Sequence, residues 1–480
     1  MSTKVDYMAI LPVLFLEYLC LGLARSLIPS MIVEEFGIYS YIAVGIMETI
    51  KGLLAFVSSP LFGKLSDIIG RKYCLLTTVI GTTMPILLMV FSTNMYLYAA
   101  TVSISGFFSA TFALTFAYIS DCVENKQKRA PAYGLALATF GLSFTIGPTM
   151  GGYIAEQFST QAVFLLALFL VVLNTVYVVF KLPETAPGVE GSIHNASFHG
   201  NLPNDIAKYR QSNTNPLKSQ HSSMGSSDYY QKFGVAMEYL PNSWNFSETF
   251  QIFSADPFMW NLAVIVFIYY TAVWAIVSTL MVYITRHLRF SPVQLGWLLS
   301  AYGLATMFSE GILVRIVVPR VGEINAMRLG LLAFSIQCAL VAVSTSAGWI
   351  FVSVLFSMGA NLFYPAVSSL VSKVCDDRNQ GEALGALNGI KALTEGFGPL
   401  FFGLLMGLFE ESPQPGAPFL LASIFSLWAF LHCFELPVPG YLLEQKQRGA
   451  FFGTSESRGL LDGEVSNVAA AGSDSDDYDD

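Results

Sequence analysis

Several ionisable side chains of this chain sit inside long apolar runs, where lipid makes charge expensive to keep. Each costs on the order of 3 kcal/mol at the centre of a membrane helix, so each is expected to be paired, to face water or to act. Glu17 stands about halfway along the first apolar run with no basic residue one turn away. A carboxyl without a counter-charge is cheaper to bury with its proton than without it, which makes Glu17 the first candidate for a proton carrier. Glu48 and Lys51 are separated by one turn in the second run, and Lys391 and Glu395 in the eleventh, so each pair shares a helix face near mid-depth. Two readings stay open for them. Each pair neutralises itself and fixes packing, or the four exchange partners between helices and form a switch. Glu310, with Arg315 a little further along, is a second-rank proton candidate.

The elements that hold these residues are apolar stretches of roughly twenty residues, the length that spans a hydrocarbon core as a helix. They cover 8–31, 41–62, 73–92, 95–120, 131–156, 161–181, 259–285, 293–317, 327–345, 349–373, 382–408 and 417–437, called spans one to twelve below. Composition agrees, since 54% of residues are hydrophobic and only 12% are charged, a balance that excludes an ordinary water-soluble domain. The first run is too long for a cleavable signal peptide and carries Glu17 and Arg25, so it is expected to remain. The reading is an all-α membrane protein.

Basic residues give an orientation. Lys4, Lys64, Arg71, Lys72, Lys126, Lys128, Arg129, Arg320, Lys373 and Arg378 fall in alternate short segments, while the opposite loops hold Arg286 and Arg289 with the acids Glu34, Glu35, Glu410 and Glu411. Lys and Arg in short loops stay cytoplasmic, so both termini and the central insert are expected in the cytosol. The sequons at Asn195 and Asn245 then escape glycosylation. The six cysteines, Cys20, Cys74, Cys122, Cys338, Cys375 and Cys433, lie in spans or at their cytoplasmic ends, which argues against a disulfide framework. The net charge of −9 owes much to the aspartates of the last residues, and nothing supports nucleic-acid binding.

The two halves read as copies. At a shift of about 252 positions Gly147-Pro148 meets Gly398-Pro399, Gly70 meets Gly322, and at nearly the same shift Gly134 meets Gly385 and Gly152 meets Gly403. Two six-helix units with a site between them at mid-membrane are a transporter architecture. The expected organisation is a first bundle over 1–185, a polar cytosolic linker over 186–256, a second bundle over 257–438 and an acidic, disordered cytosolic tail over 439–480. The linker is rich in Ser, Asn, Gln and His; its aromatic stretches 229–240 and 246–253 suit short surface helices near the bilayer.

Between spans two and three, Gly63-Lys64-Leu65-Ser66-Asp67-Ile68-Ile69-Gly70-Arg71-Lys72 compresses glycines, an acid and a basic pair into one turn. Glycine permits close helix approach, Asp67 can accept hydrogen bonds from a helix N-terminus, and Arg71 and Lys72 can pair with acids such as Asp121. In span five, Gly147-Pro148-Thr149-Met150-Gly151-Gly152 removes one backbone donor and allows tight packing, as a hinge or a leak-proof seam.

With the turn G-x-x-x-D-x-x-G-R-K the chain resembles the major facilitator superfamily over nearly all residues from span one to span twelve, although Ile68 stands where members usually carry a basic residue. The span-five element is similar to G-P-x-x-G-G of the drug/proton antiporter branch, with Ser143 where another glycine often stands. A closer resemblance, to the hippocampus-abundant-transcript-like transporters and the neighbouring tetracycline-efflux proteins, rests on Phe15-Leu16-Glu17-Tyr18, Lys51-Gly52-Leu53-Leu54, Phe116-Ala117-Tyr118-Ile119-Ser120-Asp121 and Phe363-Tyr364-Pro365-Ala366. Pro183-Glu184-Thr185 closing span six fits as well. The resemblance implies twelve transmembrane helices in two pseudo-symmetric six-helix bundles, with spans two and eleven meeting across the halves. It also implies that spans one, four, seven and ten line a central cavity, which makes Tyr18, Phe112, Tyr269, Asn361 and Tyr364 candidate solute contacts.

The expectation is a proton-coupled, alternating-access transporter of a small organic solute, with membrane lipid around it and no cofactor or metal. The alternatives are a transporter-shaped receptor or trafficking scaffold without net movement, and an uncoupled facilitator. No nucleophile–base pattern or phosphate loop suggests an enzyme. Glu456 with Leu460 and Leu461 fits an acidic dileucine signal, so endocytic adaptor proteins are expected partners of a monomer in an endosomal, lysosomal or vacuolar membrane.

Overall fold

In hydrocarbon no water satisfies a bare backbone N–H or C=O, so an apolar chain of this length has to close its hydrogen bonds within each segment. The computed structural model obeys this: among the residues it describes, 6–123, 126–185, 257–374 and 380–436, the regular elements are helices. The linker 186–256, the tail with Glu456, Leu460 and Leu461, both sequon asparagines and Cys375 lie outside the described residues, as does the side chain of Asp67.

Each predicted span falls on helix. In the first half these are Leu11–Arg25 with Ile28–Phe36, Ser40–Ile69, Arg71–Leu88, Met95–Ser105 with Thr111–Cys122, Lys126–Gln157 and Thr160–Phe180. In the second half they are Pro257–Trp274 with Leu280–His287, Pro292–Phe308 with Val314–Val321, Glu323–Ala342, Ala347–Ala360 with Phe363–Val374, Gln380–Phe409 and Ala417–His432. Nine helical runs among the described residues are long and apolar enough to cross a membrane, and Ala417–His432 is a shorter apolar helix.

The sequence reads each span as one helix, whereas the structure interrupts spans one, four, seven, eight and ten. Span one breaks at Ser26 and Leu27, ahead of Pro29 in the first turn of the next helix. Span four tightens to a 3₁₀ turn at Gly106–Phe108, where Gly106 lies against the backbone of Lys51 and its carbonyl accepts from buried Ser58 at 3.4 Å. Spans seven and eight carry π turns at Ala275–Thr279 and Ser309–Leu313. Span ten breaks at Asn361 and Leu362, just before Pro365. Irregular backbone survives at membrane depth only where protein or a cavity surrounds it, so these breaks mark interior faces.

Within the first half, span one packs on spans five and six; within the second, span nine packs on ten and twelve, and span seven on eleven and twelve. Across the halves, span two meets eleven and span five meets eight. Glycines set both seams. A Cβ on Gly45 would lie 2.8 Å from the Pro399 carbonyl oxygen, and one on Gly403 2.6 Å from that of Tyr41. The other seam repeats the pattern, with Gly296 at 2.5 Å from the Pro148 oxygen and Gly152 at 2.6 Å from that of Pro292. Gly45 and Gly296, like Gly152 and Gly403, are separated by nearly the same shift of about 252 that the sequence repeat suggests, so one seam is the internal copy of the other. Gly147 and Gly151 meanwhile lie against Gly22 and Leu23 of span one, so the span-five element is packed on both sides.

Candidate functional site

A cavity of about 530 Å³ lies between the halves, in the range of small-molecule sites. Its charged lining is Glu17 and Arg25 of span one, Glu48 and Lys51 of span two, and Glu395 of span eleven. The π turn of span seven contributes Ile276, Val277 and Ser278, and span eight contributes Tyr302.

Glu17 is 1% exposed. Its Oε1 accepts from Thr82 Oγ1 at 2.7 Å and from Thr111 Oγ1 at 3.0 Å, while its Oε2 has no hydrogen-bond partner among the described residues. Two hydroxyl donors orient one oxygen and leave the other for a proton, and no basic side chain among the described residues bonds the group. A fully ionised carboxylate here would keep a buried oxygen unsatisfied, at a cost of several kcal/mol. Neither threonine stands out in the sequence, where each is one hydroxyl within an apolar run.

The internal repeat identifies what stands at this place in the other half. At the shift of about 252 positions Glu17, Thr82 and Thr111 correspond to Tyr269, Phe334 and Phe363. Those three also meet, with the Tyr269 ring 4.0 Å from Phe363 and 5.2 Å from Phe334, centroid to centroid. The same helix crossing is polar in one half and aromatic in the other.

Glu48 and Lys51 form an ion pair at 3.0 Å. The second predicted pair does not close. Lys391 points its ammonium over the rings of Tyr364 at 5.0 Å and Tyr270 at 5.4 Å, and it has no ion pair to Glu395 among the described residues. Cation–π contact with rings of spans seven and ten stands where the carboxylate was expected. Glu395 instead reaches the cavity, and its electrostatic neighbours are Lys51 and Glu48 of the other half as well as Lys391. Gly52 makes that approach possible, since a Cβ there would lie 2.6 Å from the Glu395 carbonyl oxygen and 2.7 Å from its Cγ. Glu310 sits in the π turn of span eight, off the cavity wall, with Lys391 as its electrostatic neighbour.

Of the aromatic candidates, Tyr18 and Phe112 line the cavity and pack on each other at 5.1 Å, with Phe140 4.8 Å from Tyr18. Tyr269 lies in the second-half core and donates to the Ala360 carbonyl at 3.3 Å. Asn361 donates to Thr306 at 3.1 Å, and the Tyr364 hydroxyl donates to Asn388 at 2.9 Å. None of these three is on the cavity wall.

At the turn between spans two and three, Gly70 adopts φ +120°, a conformation glycine supplies at little cost. Gly63 has open space beside it, and the close approach in this turn is at Gly70, where the Glu184 carboxylate comes up. Arg71 Nε donates to Asp121 at 3.0 Å and Arg71 Nη1 to Ser66. Glu184 accepts from the backbone N–H groups of Arg71 at 2.8 Å and Lys72 at 3.1 Å, a carboxylate seated on the positive end of span three. Lys72 Nζ donates to the Val179 carbonyl at 2.7 Å.

The second half repeats this turn with opposite charge. Gly322 has φ +82°, and Glu323 pairs with Lys373, residues that correspond by the repeat to Arg71 and Asp121. Exposure separates the two: the Arg71 side chain is 9% exposed and the Lys373 side chain 49%. Asp121→Ala is therefore expected to cost about 1–3 kcal/mol by taking a charge-assisted hydrogen bond from a buried guanidinium that keeps its bond to Ser66, whereas Lys373→Ala costs no more than about 1 kcal/mol. Thermal denaturation in detergent checks this; equal shifts would count against it.

On the opposite face Arg286 ties the halves together. It donates from Nε to Glu410 at 2.6 Å and from Nη1 to the carbonyl of Gly37 in the loop between spans one and two. His287 Nε2 also approaches Glu410, at 3.2 Å.

The chain is 27% identical to the human Hippocampus abundant transcript 1 protein, a match covering 88% of this chain and 83% of that protein. It is 24% identical to the Escherichia coli Tetracycline resistance protein, class C, over 83% of this chain and 89% of that protein. Among solved structures, the human organic anion transporter MFSD10 (TETRAN) superposes with a TM-score of 0.57 at 19% identity, covering 89% of this chain and 98% of that one. With the profile of the Major Facilitator Superfamily matching residues 10–286 and 262–458, the chain belongs to that superfamily.

Proposed function

We infer that this protein is a secondary transporter that moves a small organic solute by alternating access, coupled to protons through Glu17. The observation that carries the reading is Glu17 itself, buried on a cavity between two repeat-related bundles with one carboxyl oxygen held by two hydroxyls. Protonation drives transport only if it favours one access state over the other. The Glu48–Lys51 pair and Glu395, meeting across the halves beside the same cavity, supply a charge set whose pairing changes when the seam opens. Arg286 with Glu410 and Gly37 forms the closing contact on one face, and the Gly70 turn braces the other.

The fold leaves the solute open. A tetracycline resistance protein and an organic anion transporter are both similar to this chain, so solute choice resides in cavity residues. Relatives named for transport or drug resistance favour movement over a receptor or scaffold role. The test is proteoliposome flux of solutes selected by thermal shift. Binding without flux would favour the scaffold; flux indifferent to a pH gradient would leave an uncoupled facilitator.

The positive-inside bias supports cytosolic termini and linker, and the acidic dileucine at Glu456, Leu460 and Leu461 supports adaptor binding and an endosomal, lysosomal or vacuolar address. A glycosidase-sensitive mass shift that vanishes when Asn195 and Asn245 are both replaced would overturn that orientation.

A further inference from the structure

Arg25 is the last residue of the first helix of span one, immediately before the break at Ser26 and Leu27. Its side chain is exposed, and it lines the cavity. No described residue gives it a hydrogen bond or an ion pair. Glu17 is held by Thr82 and Thr111, and Glu48, although within the field of Arg25, gives its hydrogen bond to Lys51. The contact Arg25 does make is with an aromatic face, its guanidinium carbon standing 5.2 Å over the ring of Phe144.

An open guanidinium inside a membrane protein is retained at an energetic cost, and such residues mark the path of a substrate. Its planar fork of N–H donors matches an oxyanion, and stacking on Phe144 holds the fork in place while leaving its edge free. Around it the wall is aromatic and apolar, with Tyr18, Phe112, Phe144 and Tyr98 facing the same space. Arg25 lies two helical turns from Glu17, roughly 12 Å along the axis, a distance that leaves room for the body of a solute between anion and proton sites.

We propose that the solute is an organic anion with a flat apolar body, whose oxyanion group is bound by Arg25 and whose ring packs on Phe144, Tyr18 and Phe112. This rests on the transporter reading for its purpose but not for its chemistry. Three carboxyl groups on the same cavity oppose a simple attraction for anions, Glu17, which is proposed to hold a proton, Glu48 and Glu395. Lys51 answers Glu48 and, across the seam, is also the cationic neighbour of Glu395 on span eleven. The anion is therefore selected by the local fork rather than by net cavity charge.

The test uses the full-length protein purified in detergent and a matched probe set: 1-naphthoate, 1-naphthalenesulfonate and 1-naphthyl phosphate against methyl 1-naphthoate and 1-naphthylmethylammonium. At least one oxyanion is expected to bind about ten- to a hundredfold more tightly than the ester or the ammonium, the worth of charge-assisted hydrogen bonds. Arg25→Gln is expected to erase that preference, and Arg25→Lys, which keeps the charge without the fork, to recover part of it. Comparison of the three oxyanions tells carboxylate from sulfonate and phosphate. Equal binding of all five probes by the wild type, tighter binding of the ammonium or ester, or no oxyanion binding up to millimolar concentration overturns the proposal even if the variants do not fold. Flux separates it from the wider reading. Arg25-dependent binding without flux in proteoliposomes defeats transport and keeps the anion site, while flux of the ammonium probe unchanged in Arg25→Gln defeats the anion site and keeps transport.

Discussion

Glu17→Gln is expected to leave solute exchange intact and to abolish accumulation driven by a pH gradient. Glutamine has nearly the shape of glutamic acid, and its amide oxygen can accept the same hydrogen bonds from Thr82 and Thr111. What it cannot do is take and release a proton. The variant therefore resembles one protonation state held permanently, and both access states remain available to a solute moving down its own gradient. For one proton per solute, each pH unit across the membrane supports about a tenfold accumulation. In the variant that ratio falls to unity. Accumulation in proteoliposomes with an imposed gradient, measured beside counterflow exchange, separates the two. If Glu17→Gln accumulates solute as the wild type does, proton coupling lies elsewhere, with Glu395 and Glu310 the next groups to replace.

Widening either seam is expected to slow transport, by opposing one access state. A Cβ on Gly52 or Gly296 would meet carbonyl oxygen of the facing helix at 2.6 Å and 2.5 Å, and backbone cannot rotate away as a side chain can. Overpacking a close helix contact costs about 1–3 kcal/mol. Since the cost falls on the seam-closed arrangement, it shifts the balance between states by one to two orders of magnitude, and turnover is expected to fall by about that factor. Gly52→Leu and Gly296→Leu should behave alike, because the two positions sit on repeat-related seams. Transport rates and the labelling of a cysteine placed in the cavity check the two halves of the claim. Wild-type turnover in a well-folded Gly52→Leu protein would show that the seam does not change during the cycle.

The chain by itself determined where the helical spans lie, the repeat, and the isolation of Glu17. These are properties counted along the sequence: a span must be long enough for the hydrocarbon core, its backbone must bond internally, and a carboxyl without a basic residue one turn away is visible by inspection. It also carried the turn at Gly70, which depends on short-range motif chemistry, and offered Asp121, 50 positions away, as an acid within the reach that folding gives Arg71.

Tertiary structure decided which way each face turned. Thr82 and Thr111 reach Glu17 from 65 and 94 positions away, Lys391 turns to Tyr270 and Tyr364 rather than to Glu395, and Tyr269 enters the core while Tyr18 meets the cavity. In a soluble helix the apolar stripe would have told inside from outside. In a membrane, lipid is as apolar as the protein interior, so periodicity loses that signal and rotation about each helix axis is fixed only by the neighbours it packs against. The helix breaks belong to the same class, because irregular backbone becomes affordable only when surrounding helices shield it from lipid.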